Sequence, residues 1–210
     1  MLIVLDYPER RATVEDPISG AYAHEIRSLF EESKLSPEDI EFFCVFENQL
    51  EEHFTRTNNE TFDPDTLTLL DFEKSAMPRY DAGWVKPKFL PRINKLCKTI
   101  RERKPNVIIA MGKISYWAVT SGARLTDHRG TPFFAEKINT KVIGTAGLSA
   151  FTKDWSLRSI VIADINKAVA HSEFSGFKPK DRNVYKVTDP VKDIPKLREL
   201  LKAELVAVDV

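Results

Sequence analysis

At 210 residues, 42% hydrophobic and 10% aromatic, the chain holds enough apolar material for one core of ordinary size, which excludes a disordered or fibrous protein. Lysine plus arginine equals aspartate plus glutamate at 31 each, so there is no bulk field toward nucleic acid or an anionic membrane, and any such binding must come from a local patch. No apolar run approaches the roughly 20 residues of a membrane span, and the start MLIVLDYPER carries no basic leader; the chain reads as soluble and cytoplasmic, with no membrane partner.

Leu2–Leu5 is an aliphatic run closed by Asp6-Tyr7-Pro8, which predicts a buried first strand running into a loop. In Ala21–Ser33, Ile26, Leu29 and Phe30 fall at helical spacing, so the first crossover is a helix. The aromatic run IEFFCVF that follows is strand-like. Residues 51–90 are polar, punctuated by prolines and without sustained period, as expected of a functional or flexible excursion. Order returns with FLPRINKLCKTIRERKP, where Phe89, Ile93, Leu96, Cys97 and Ile100 share one helical face. NVIIAMG then reads as a fully buried strand ending in a glycine turn, and KISYWAVTSG as a short helix. RLTDHRGTPFFAE is a loop or extended segment, TKVIGTA another strand, and RSIVIADINKAVAHSEF starts apolar and becomes helical. Alternating helices and buried strands predict an α/β fold with a mostly parallel sheet. From Phe177 the sequence turns basic and polar, then amphipathic, and it closes in the apolar LVAVDV; this is the pattern of a linker and the opening of a second domain.

If the strands are parallel neighbours, three loops meet at one sheet edge: Asp6, Tyr7 and Glu9 from the first, Gly112 and Lys113 from NVIIAMG, and Thr145-Ala146-Gly147-Leu148-Ser149 from KVIGTAGLS. Asp6 is a candidate to activate or position water, or else the cap of a turn before Pro8. Of four histidines, His24 and His171 fall on helices, His53 in the polar excursion, and only His128 near the expected cleft. No Ser/His/Asp arrangement, phosphate loop or carboxylate pair appears. Arg124, His128, Arg129, Lys153, Trp155 and Arg158 place basic and aromatic groups around the same edge, as phosphate contact and base stacking require. Cys44 and Cys97 lack metal-ligand spacing, so a zinc site or an iron-sulfur cluster built from this chain alone is not expected, and buried reduced thiols are.

In order and context, LIVLDYPERR, AYAHEIRSLFEES, FFCVFEN, RKPNVIIAMGKISYWAVTSG, RGTPF, KVIGTAGLSAF and DWSLRSIVIADINKAV resemble the uracil-DNA glycosylase superfamily, in particular the family 4-like modules at the front of some bacteriophage family A DNA polymerases. The resemblance covers about residues 1–175. It implies a three-layer α/β/α sandwich around a mostly parallel four-stranded sheet, a linker over 176–194, and the start of a 3′-5′ exonuclease-like domain over 195–210. Asp209 in ELVAVDV would match that domain's metal-binding aspartate, and the parent chain would be a DNA polymerase using divalent metal such as magnesium, in the cytoplasm of an infected bacterium. For the front module itself no cofactor is implied.

Two departures from the family pattern shape the functional expectation. Asp6 and Tyr7 stand where active members begin the first loop with glycine, and Ala146-Gly147 where they carry His-Pro. Removing a donor aimed at developing charge costs about a hundred- to a thousandfold in rate. The resemblance therefore implies a module that is not catalytic by itself and binds DNA, single-stranded or primer-template, or another replication protein. Lys113, Arg129, Lys153, Trp155 and Arg158 would contact DNA, and Tyr7, Phe43, Phe46 and Asn48 would line the base pocket. Two alternatives stand beside it: an active uracil-DNA glycosylase using Asp6 or Glu9, and a docking domain without nucleic-acid contact.

Overall fold

The computed structural model describes residues 1–33, 35, 39–48, 54–55, 79–80, 83–120 and 122–177. In chain order these form β1 (Leu2–Leu5), α1 (Ala23–Glu32), β2 (Glu41–Cys44), β3 (Phe54–Thr55), β4 (Arg79–Tyr80), β5 (Gly83–Val85), α2 (Leu90–Arg103), β6 (Val107–Met111), α3 (Lys113–Thr120), α4 (Leu125–His128), β7 (Pro132–Ala135), β8 (Thr140–Thr145), α5 (Leu148–Phe151) and α6 (Arg158–Ser172). The chain divides into two units, Met1–Phe177 and Lys178–Val210. The second lies outside the described residues, and with it nearly all of the expected linker, the exonuclease-like segment and Asp209.

A strand buried on both faces reads as a near-continuous apolar run. β1, β6 and β8 are buried along their whole length, and they sit at the centre of a five-stranded sheet of order β2-β1-β6-β8-β7. β2, β1, β6 and β8 run parallel. The expected four-stranded sheet thus gains a fifth strand: β7, from the RGTPFFA segment, pairs antiparallel with β8 at the edge. An edge position tolerates Pro132, whose missing N–H breaks no ladder bond on the open side.

Successive side chains of the central strands point to opposite faces and feed two separate cores. Leu2, Val4, Ile108, Ala110 and Val142 pack with Leu90, Ile93, Leu96, Cys97 and Ile100 of α2 and with Tyr116, Trp117 and Val119 of α3. Ile3, Leu5, Ile109, Met111 and Ile143 pack with Ile26, Leu29 and Phe30 of α1 and with Val161, Ile165 and Ala168 of α6. Each fully buried aliphatic side chain contributes about 1.5–3 kcal/mol, so the sheet is held from both sides. Cys44 and Cys97 are buried and unbridged, and burial pushes both thiols up to about 12.

The polar excursion at 51–90 lies largely outside the described residues; within it β3, β5 and β4 form a separate antiparallel sheet. Val85 anchors this sheet in the core shared with α2 and α3. Among the described residues, no helix is long and apolar enough to cross a membrane.

Candidate functional site

From β1 the chain first adds β2 on one side and later β6 on the other, so the carboxyl ends of β1 and β6 flank a topological switch point, where open α/β sheets leave a crevice. The register aligns the strand ends: Leu5 lies opposite Met111, and Met111 opposite Thr145. The next residue on each strand, Asp6, Gly112 or Ala146, therefore opens a loop at the same level. Between them lies a cleft of about 670 Å³ lined by Asp6, Tyr7, Lys113, Asp127, Arg129 and Ser149, among others. A smaller cavity of about 30 Å³ adjoins it, bounded by Asp6, Pro8, Glu9 and Gly147. That volume fits one water molecule.

Asp6 caps a helix, though not the turn before Pro8. Its Oδ1 accepts the backbone N–H of Ser115 at 2.7 Å, 109 residues away in sequence, at the third position of α3. A carboxylate there satisfies an orphan donor and meets the positive end of the helix. Loss of hydration nevertheless outweighs those gains. Burial pushes the Asp6 carboxyl up to about 6, and hydrogen bonds from Ser115 and the Ile114 backbone offset it only in part. Gly112 makes room for this arrangement. Its φ of 122° is closed to most residues, and a Cβ there would overlap the Asp6 carboxylate.

The loop after β8 meets the same backbone. Gly147 approaches Gly112 so closely that a Cβ on it would lie 3.2 Å from the Gly112 Cα. Gly147 also caps α5, accepting the N–H groups of Ala150 and Phe151 at 3.0 Å each. Within the stretch expected to replace the His-Pro motif, Thr145 and Leu148 are buried, while Ala146, Gly147 and Ser149 line the cleft. The Thr145 hydroxyl donates to Asp164 Oδ2 of α6 at 2.8 Å. Burial raises the Asp164 carboxyl, opposed by that hydrogen bond and by the charges of Arg129 and Lys167. Lys167 in turn donates to the Gly130 carbonyl at 2.6 Å, fixing the loop that carries Arg129.

The residues expected to contact DNA fall in three places. Lys113 and Arg129 are exposed on the cleft wall, and among the described residues neither forms an ion pair. Lys153 and Trp155 are exposed on the turn that follows α5, and Leu157 of that turn lines the cleft. Arg158, by contrast, is bound to Glu32 and, at 3.0 Å, to the Ser28 hydroxyl, so it ties α6 to α1. Of the expected base pocket, Tyr7 alone lines the cleft. Phe43 packs beneath the Arg92 guanidinium at 5.4 Å, Phe46 is fully buried edge-on to Phe89, and Asn48 is exposed just beyond β2. His128 is packed beside Phe133 and Tyr116, away from the cleft lining, and His53 lies outside the described residues.

No protein-family model matches the chain, and a search of curated proteins returns no match. The residues must therefore speak for themselves. Among the described residues, no group of three or more histidine, cysteine, aspartate or glutamate side chains converges as metal ligands would. Two residues that shape the site escape a sequence reading. Ser115 receives the Asp6 cap, and nothing local in KISYWAV announces it. Asp164 has a legible signal, a lone acid in the apolar run SIVIADI of a helix, where a buried carboxylate needs a partner. The cleft as built offers two cations, the hydroxyls of Ser149 and Thr126, and a small-residue floor. These suit phosphate and sugar contact, beside the carboxylates of Asp6 and Asp127.

Proposed function

We propose that Met1–Phe177 is a DNA-contacting module with the three-layer glycosylase-like fold, part of a DNA polymerase that works in replication, and that it does not itself cleave the glycosidic bond. It holds single-stranded or primer-template DNA in the cleft, with Lys113 and Arg129 on the phosphates. The observation that carries this reading is the floor of the cleft. At the place where His-Pro is expected the loop after β8 presents Ala146 and Gly147, leaving the Ser149 hydroxyl as its donor side chain at the cleft, while the Asp6 carboxylate across from it is engaged at the N-terminus of α3. Transition-state charge thus lacks an imidazole donor at that place, and the cations of the cleft serve binding.

The test uses the full chain with a labelled oligothymidylate and a uracil-containing single strand. Binding should weaken with salt, at a slope near −0.7 per phosphate contact for single strands, and the uracil strand should acquire no abasic sites. Uracil release that disappears in Asp6→Asn would overturn the non-catalytic reading. One observation favours that second reading, an active glycosylase: a carboxyl titrating at about 6 beside a water-sized cavity is poised as a base near neutral pH. Absence of any salt-dependent binding would leave a docking domain for other replication proteins.

A further inference from the structure

Three large apolar side chains stand exposed among the described residues: Tyr22, Trp155 and Phe177. Phe177 leans on Phe134 and His171, and Tyr22 precedes α1. Trp155 lies in the chain between two residues that line the cleft, Ala150 of the preceding helix and Leu157 of its own turn. A single exposed aromatic is ordinary, but the mounting of this one is not. The Asp154 carboxylate accepts the Ser156 N–H at 3.0 Å and closes the turn; hydrogen bonds from the Ser156 side chain and backbone hold the carboxyl below its usual range. The Asp154 and Lys153 N–H groups bond back to the Ala150 carbonyl at 3.0 and 3.2 Å. Phe151, fully buried, meets the indole edge-on with ring centroids 5.0 Å apart. The indole is thus fixed from beneath while 46% of the residue stays open to solvent.

An indole held this way has already lost the rotamer freedom that a contact would otherwise cost. Its chemistry fits a planar π-face. Lys153 lies two residues before it, and Lys113 and Arg129 stand in the cleft, so the complementary ligand carries an exposed ring and negative charge at once. An unpaired nucleotide has both. A paired base has its faces covered by its neighbours in the stack. We infer that Trp155 is a stacking platform for an unpaired base, which makes single-stranded DNA, rather than duplex, the ligand of this face. The inference rests on the DNA-binding reading above and adds the state of the DNA.

The experiment separates base from phosphate. The full chain is titrated with labelled oligothymidylate, with a strand of equal length built of abasic units, and with a hairpin duplex, each across a salt series. The wild type should bind oligothymidylate about tenfold more tightly than the abasic strand, the worth of one stacked base. Trp155→Ala should erase that gap without changing the salt slope, and Trp155→Phe should restore most of it. Arg129→Ala should do the converse, lowering the slope and keeping the gap. Equal wild-type binding of the two strands, a gap that survives Trp155→Ala, or a preference for the hairpin overturns the platform while leaving cleft binding intact. A wild type that binds none of the three overturns both.

Discussion

Replacing Asp6 by asparagine should stabilise the protein at neutral pH and leave its stability nearly unchanged in acid. Asparagine keeps an acceptor oxygen for the Ser115 N–H, so the cap survives and only the charge is lost. The wild-type carboxyl titrates at about 6 in the fold against 3.8 for a free side chain. At about 1.36 kcal/mol per pH unit, the folded state then holds its proton about 3 kcal/mol more tightly than the unfolded chain does. A carboxyl raised in this way supports the fold fully below pH 3.8, and that support drains away as pH climbs through about 6. The mutant has no such loss. The difference in unfolding free energy, mutant minus wild type, should therefore grow by about 3 kcal/mol between pH 3.5 and 7.5, with about half of it gained by pH 5. Urea titrations followed by circular dichroism would read this as a midpoint separation that opens to about 1.5 M, for a slope near 2 kcal/mol/M. A difference that stays flat across that range would refute the reasoning. It would mean that the dipole of α3 and its N–H groups compensate the buried charge in full.

Gly112→Ala should cost about 2 kcal/mol or more, from a φ of 122° and from overlap with the Asp6 carboxylate; thermal melts should show a smaller loss when Asp6 is also alanine, because only the backbone strain then remains. Lys141→Met should lower stability by about 1–3 kcal/mol, because it leaves carbonyl acceptors without their donor. The fully buried Lys141 ammonium donates to the carbonyls of His171, Phe174 and Gly176, and hydrogen exchange should report faster opening at the end of α6 once it is gone.

The sheet was legible because burial on both faces writes itself as an unbroken apolar run. LIVL, VIIAM and the VIGT of β8 are short apolar runs of strand length, and the helical faces of α1 and α2 were equally plain. β7 was less so, since its four residues lie at an edge and only Ala135 is buried. What no local pattern carries is the partner of a buried polar group. Lys141 opens β8 like any strand-end lysine, and the three carbonyls that hold it lie 30 to 35 residues further on. Asp6 offered a base or a local cap to a reader of the sequence, and its acceptor role is settled by a helix 109 residues away. Phe46 shows the reverse error. Aromatic residues after a strand suit a stacking pocket as well as a core, and contact with Phe89 decides for the core.

The same long-range packing bears on how the Ala146-Gly147 stretch is read. Taken as sequence, small residues in a cleft-facing loop look like deletions, chemistry removed from a scaffold. In the folded chain Gly147 lies against Gly112, and Gly112 itself lies against Asp6. A side chain at 147 would press on the Gly112 backbone, whose own Cβ position is filled by the Asp6 carboxylate that caps α3. The three positions thus form one chain of contacts across the carboxyl ends of β8, β6 and β1, and each is small or acidic because of the next. Placing a larger residue at 147 alone would strain this contact before it could contribute any chemistry. The small residues of the loop after β8 and the use of Asp6 as a cap are therefore coupled features of one floor, and under the proposed reading a catalytic donor there would require all three loops to change together.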